Sequence, residues 1–261
     1  AIIFADFPPN QADETEIKNY FDAGFTHVLM TEDSGLSIKN SDGSLNPAYK
    51  TAIEMCQQHG DVIIRNYEWH DKYLGNITTE FADMGIRHFY YADEPTYQGM
   101  DNLNKFVEWH NTYNPGALFH VNLLPSYADH AGEHGASSHE EYIQAYADKI
   151  ANKVNGVRTI AIDYYPLEYN SVLTHPYLSD LLTVAQVTKK FNTAHPDNPA
   201  ITSFCIQSYQ SRDRRGIERI EDVRFQLNMA IAFGAKCFEY YEWSGSEAAG
   251  EKGIVTMKGA Y

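Results

Sequence analysis

Short β-forming runs alternate with longer amphipathic segments from one end of this chain to the other, and that alternation restricts the fold more than any other feature. The runs occupy residues 2–7, 27–31, 62–67, 88–92, 118–122, 159–163, 201–207 and 237–241. Between them, apolar residues spaced three and four apart predict helices over 12–23, 47–59, 78–84, 101–113, 138–153, 176–191 and 223–233. Gly24, Gly60, Gly85 and Gly234 stand where C-caps belong, and Ser138 with Glu141 has the spacing of a capping box. Repeated βα units of this kind build a parallel sheet. The expected architecture is therefore α/β, a (β/α)8 TIM barrel, with an open doubly wound sheet as the alternative. The last helix is absent from this reading: after Trp243 come a Gly- and Ser-rich loop, a short run at 253–257 and Tyr261, so a final helix lies beyond this chain or is replaced by another. With 261 residues and no linker composition, one catalytic-type domain over 1–261 is expected.

A formal charge of −15 repels phosphate backbones and anionic lipid, so nucleic acid and membranes are not expected partners. No apolar run is long enough to cross a bilayer. The chain starts inside a strand with no secretory leader, which reads as a processed domain, and an extracellular or periplasmic location is the expectation. Cys56, Cys205 and Cys237 form no CxxC motif, and Cys205 and Cys237, on the last two strands, are expected near one another. There is no GxGxxG, GxxxxGKS/T or GxSxG motif, and His130, Glu133 and His134 do not make an HExxH helix. No cofactor and no resident metal are expected.

The chemistry gathers at the C-terminal ends of the runs. Phe89-Tyr90-Tyr91-Ala92-Asp93-Glu94-Pro95 is a buried strand that stops where its charge begins, because Pro95 has no ladder donor and restricts the residue before it. The other ends supply Asp6, Glu32 with Asp33, Trp69 with His70, Asn122, Asp163 with Tyr164 and Tyr165, Gln207, and Tyr241-Glu242-Trp243. Carboxylates and amides on one rim suit a polyhydroxylated ligand, and aromatic faces suit the apolar side of a sugar ring. Asp33, Trp69, His70, Asn122, Tyr164, Gln207, Tyr241 and Trp243 are the expected substrate contacts. Burial among aromatic neighbours is expected to raise the Glu94 pKa and make it an acid.

With these residues in place, the chain resembles (β/α)8 glycoside hydrolases of the clan A type and related barrels, in which an Asn-Glu-Pro tripeptide ends strand four. Asp93-Glu94-Pro95 matches that tripeptide, and the resemblance implies Glu94 as general acid/base. Asn122-Leu123-Leu124-Pro125 and Asp163-Tyr164-Tyr165-Pro166 add to the likeness. The family's strand-seven nucleophile has no counterpart, since Ile206-Gln207-Ser208 stands there, so the second carboxylate is sought among Asp163, Glu239, Glu242 and Asp93. Glu239 and Glu242, three apart, cannot both face inward. The expected activity is hydrolysis of O-glycosidic bonds in an oligo- or polysaccharide. The alternatives are a noncatalytic carbohydrate-binding barrel, a substrate-assisted N-acetylhexosaminidase using Asp93 and Glu94 together, and a metal-assisted hydrolase using Asp6, His70 and Asp163.

Overall fold

The computed structural model describes residues 1–7, 10, 12–31, 36–65, 80–131, 135–168, 171–172, 174–211, 216–217, 219–243 and 251–254. Eight parallel strands close into a barrel: β1 (Ile2–Phe7), β2 (His27–Met30), β3 (Asp61–Arg65), β4 (His88–Asp93), β5 (Leu118–Leu123), β6 (Val157–Ile162), β7 (Ala200–Gln207) and β8 (Cys237–Tyr241). Each pairs with its sequence neighbours, and β1 closes on β8 through Ile2↔Cys237 and Phe4↔Glu239. This is the TIM barrel expected from the alternation, and not the open sheet.

The helices between the strands are α1 (Glu14–Asp22), α2 (Pro47–Gln57), α3 (Asn104–Tyr113), α4 (His139–Lys149), α5 (Thr174–Ala194) and α6 (Ile220–Ala232). Residues 80–83, before β4, are also helical, and the start predicted for that helix lies outside the described residues. Local chemistry sets several of these ends. Asp13 caps α1 by accepting the N–H groups of Thr15 and Glu16, and Asn46 caps α2 ahead of Pro47, whose missing N–H costs nothing in a first turn. The predicted box on α4 forms with one arm moved: Ser138 Oγ accepts Glu141 N–H, but the Glu141 carboxylate reaches Ser137.

Strand alternation divides the apolar residues into two layers. Phe4, Leu29, Ile63, Tyr90, Leu118 and Cys237 fill the barrel interior, with Ile2, Val157 and Ile201 packed against them. Val28, Val62, Ile64, Phe89, Tyr91, Phe119, Val121, Ile160 and Ile162 point outward into the larger core beneath the helices. Inward positions nearer the C-terminal mouth are polar: Asp6, Arg65, Asp93, His120, Asn122, Thr159, Cys205 and Glu239. The cysteines are free and buried; register sets Cys205 opposite Glu239 and Cys237 opposite Ser203, so the two on the last strands are not bonded.

Candidate active site

A bulge in β4 decides what reaches the C-terminal mouth. Tyr90 pairs with His120 and Ala92 with Val121, so the register slips between them. Tyr90 faces the interior, whereas Tyr91 and Ala92 both belong to the outer core. The extra residue restores inward direction to Asp93, which strict alternation would have turned out. The Tyr90 hydroxyl then donates to Asp93 Oδ1 at 2.6 Å, and Arg65 Nη2 reaches Asp93 Oδ2 at 2.7 Å.

Glu94 follows in the left-handed region at φ 49°, the one positive φ recorded for a described residue other than glycine. A side chain there costs about 1 kcal/mol or more, and such residues concentrate at sites where geometry is imposed for function. Two bonds hold the turn: Glu94 N–H donates to the Asn122 carbonyl at 2.9 Å, and the Tyr142 hydroxyl of α4 donates to the Pro95 carbonyl at 2.6 Å. Tyr142 also accepts Leu124 N–H, so one phenol ties the loops after β4 and β5 together.

Out of the strand, Glu94 is exposed, so the burial expected to raise its pKa falls instead on its partner. Asp163, just past β6, is buried and shares a side-chain hydrogen bond with Glu94; burial first, then the Glu94 and Asp93 charges, push its pKa well above the carboxylate range. Its Oδ1 and the Oδ1 of buried Asn122 have no hydrogen-bond partner among the described residues. A ligand hydroxyl placed there would meet two desolvated acceptors.

Beneath the mouth lies a charge network that strand patterning did not single out. Arg65 bonds Asp6 Oδ2 at 3.2 Å as well as Asp93, and its guanidinium sits 4.8 Å over the Tyr90 ring. Burial alone would lower its pKa, but Asp6, Tyr90, Asp93 and Glu239 together raise it, which keeps it charged. Glu239 is pushed up to about 8 by burial and by Asp93, and His120 down to about 3 by burial. Their 3.4 Å contact therefore joins a protonated carboxyl to a neutral imidazole near neutral pH, and is no ion pair. Arg65 did leave a signal: it is the one charge at an inward position of an otherwise apolar stretch, Val62-Ile63-Ile64-Arg65.

Several expected contacts stand elsewhere. Tyr164 points away from the barrel and is buried against Tyr127 and Tyr177, while Tyr165 turns inward beside Cys205. Trp243 is 4 % exposed, packed edge-on to Tyr20 and Phe25, and so presents no open face for a sugar. Gln207 spends its amide on Leu167, Oε1 accepting the N–H at 2.9 Å and Nε2 donating to the carbonyl at 3.3 Å, which makes it a loop brace. Tyr241 stays half-exposed at the mouth with Tyr165 and Tyr209 around it, ring centroids 5.8 and 5.4 Å away. Of the two strand-eight acids, Glu239 faces inward; Glu242, beyond β8, is half-buried and its carbonyl accepts Ile254 N–H. Asp33, Trp69 and His70 lie outside the described residues.

No protein-family model matches this chain, and no curated protein matches it in sequence. Solved structures do match. A candidate alpha-L-fucosidase from Bacteroides thetaiotaomicron superposes with a TM-score of 0.62 at 12% identity, over 94% of this chain and 86% of its own. An endocellulase from Pyrococcus horikoshii gives 0.58 at 10% identity, over 98% and 87%. A beta-galactosidase from the Antarctic haloarchaeon Halorubrum lacusprofundi gives 0.53 at 15% identity, over 97% of this chain and 55% of its own. Barrel enzymes of other chemistry, among them a tryptophan synthase and a dihydropteroate synthase, match as well. At such identities the likeness establishes the (β/α)8 barrel, and chemistry has to be argued from the side chains.

Proposed function

We propose that this chain is a glycoside hydrolase acting on O-glycosidic bonds of an oligo- or polysaccharide, with Glu94 as its proton donor. The observation that carries this reading is the Glu94–Asp163 carboxyl pair at the rim, beside an Asp93 held by Arg65 and Tyr90. Two carboxyls in hydrogen-bond contact do not both ionise readily and so share a proton. Glu94, on the exposed side, gives that proton to the departing glycosidic oxygen as the C–O bond breaks, and regains one from the water that attacks the sugar carbon.

Asp163 is too close to Glu94 to act across the bond being cleaved, because even retaining enzymes set their two carboxyls about 5–5.5 Å apart. It is the proton-sharing partner. Asp93, anchored by a guanidinium and a phenol, is the fixed anion that faces charge developing on the sugar. The orphaned oxygens of Asn122 and Asp163 receive substrate hydroxyls, and the half-exposed Tyr165 and Tyr241 rings form the stacking wall.

One observation favours a substrate-assisted variant on acetamido sugars. The bulge and the positive φ turn both Asp93 and Glu94 toward the mouth, which plain strand geometry forbids, so Asp93 can orient an acetamido group while Glu94 protonates the leaving oxygen. The test for either route is Glu94→Gln on a panel of oligosaccharides and alkyl glycosides, with and without 2-acetamido groups. Turnover is expected to fall at least about 100-fold with circular dichroism unchanged, most steeply for poor leaving groups. Undiminished turnover would overturn the assignment, and binding without turnover in the parent chain would favour a carbohydrate-binding barrel.

A further inference from the structure

The opposite, N-terminal mouth of the barrel carries a second cluster of ligating side chains. His27, Asp61 and His88 are the first residues of β2, β3 and β4, three adjacent strands, and His27 pairs with Asp61 in register. One ligating atom from each lies within 4.8 Å of the others, with His27 Nε2 3.6 Å from Asp61 Oδ2 and the two imidazole centroids 5.3 Å apart. His27 is buried, His88 is half-buried and Asp61 is exposed, so the cluster opens to solvent through its carboxylate.

Thr26 holds one ring nitrogen of His27 and leaves the other, Nε2, toward Asp61. A hydroxyl has one hydrogen and two lone pairs. Thr26 Oγ1 accepts Ile3 N–H at 2.9 Å, donates to the Ile3 carbonyl at 3.2 Å, and lies 2.8 Å from His27 Nδ1. With the Thr26 hydrogen on Ile3, its second lone pair accepts Nδ1–H. In that tautomer the Nε2 lone pair of His27 faces the Asp61 carboxylate, where a cation would bridge the two; in the other tautomer Nε2–H points at Asp61 and is displaced by the cation on binding. Metal-binding histidines are commonly oriented in this way, by a hydrogen bond on the other ring nitrogen. His88 accepts Leu118 N–H at Nδ1 (3.2 Å), so ligation through its Nε2 moves a hydrogen to Nδ1 and gives up that bond, which makes it the weakest of the three ligands.

We propose that His27, Asp61 and His88 bind a borderline divalent cation, Zn²⁺ or a neighbour of similar ligand preference, across the starts of three barrel strands. Two imidazoles and a carboxylate suit that class of ion, and bond lengths of about 2.0–2.2 Å require the side chains to draw in by roughly 1 Å. Exposed Asp61 has room to move. The N-terminal face of such barrels serves stability and the other mouth holds the chemistry, so the ion acts as a clip between strands. This assignment is independent of the glycosidase reading.

The experiment uses the whole chain, stripped with EDTA, dialysed, and titrated with Zn²⁺ by calorimetry, followed by thermal melts. One saturable equivalent is expected, with the melting temperature raised by about 5 °C when free Zn²⁺ is 100-fold above its dissociation constant. Asp61→Asn, an exposed change of equal size, is expected to weaken binding at least about tenfold and so to cut the thermal shift at the same free Zn²⁺ by about half or more, while leaving the metal-free melt unchanged. His88→Gln serves as the second variant and is expected to weaken binding as well. No saturable binding in the parent, or the parent's affinity retained in both variants, would overturn the site and leave any bound Zn²⁺ to other histidines.

Discussion

At the residue scale, Glu94 combines a chemical role with a conformational cost. Its side chain occupies the left-handed region, where only glycine is at ease, and the bonds from Asn122 and Tyr142 keep it there. Glu94→Gly is accordingly expected to stabilise the native state by up to about 1 kcal/mol in urea unfolding while abolishing turnover as thoroughly as Glu94→Gln. A less stable glycine variant would mean that the bond to Asp163 outweighs the strain. The same scale shows where sequence reading reaches its limit. Asp93 and Glu94 were legible as a strand-ending acid pair, but choosing Tyr165 over Tyr164 required knowing how the backbone turns after β6, and alternation no longer applies once the strand has ended.

Two irregular features do more for the site than the regular barrel, and both belong to the scale of elements. The β4 bulge sets the direction of Asp93, and nothing in Tyr90-Tyr91-Ala92 announces it, because all three residues are compatible with burial on either face. The clamp at the end of β7 is similar. Gln207 holds Leu167 through its side chain, and its own backbone is bracketed by Gln226 of α6, whose Oε1 accepts Gln207 N–H at 2.8 Å and whose Nε2 donates to the Gln207 carbonyl at 3.1 Å. Gln207→Leu leaves the N–H and carbonyl of Leu167 without these partners, and a loss of about 2 kcal/mol is expected, with faster deuterium exchange at the Leu167 amide. Unchanged exchange would show that Leu167 is held by other contacts. An amide next to a strand end reads equally as ligand-binding or bracing from composition, and only the position of Leu167 separates the two.

For the molecule as a whole, the barrel interior carries more acid than base. Asp6, Asp93 and Glu239 converge there on Arg65 as their shared buried guanidinium, Asp163 stands near them at the rim, and neutral His120 offsets none of the charge. Protons make up the balance, which couples stability to pH. Glu239 is near 8 in the folded state, above its unfolded value, so its contribution is complete below the ordinary carboxylate range and is lost as pH rises toward 8; Asp163 acts in the same direction. Facing Asp93, Arg65 and His120, Glu239 is expected to account for a decline on the order of 3 kcal/mol between pH 5 and pH 8 in thermal or urea unfolding. Glu239→Gln removes that part of the slope, and a profile identical to the parent's would sink the assignment. The order and type of the elements, a parallel sheet and the arrival of acids at one rim were set by the sequence itself, because strand and helix periodicities are local and a parallel sheet follows from their alternation; its closure rests on the pairing of β1 with β8. Which acids meet was decided by tertiary structure alone. A single bulge, one left-handed residue and the register of the closed sheet bring Glu94 to Asp163 and Arg65 to Asp93, and these depend on packing between segments apart in the chain.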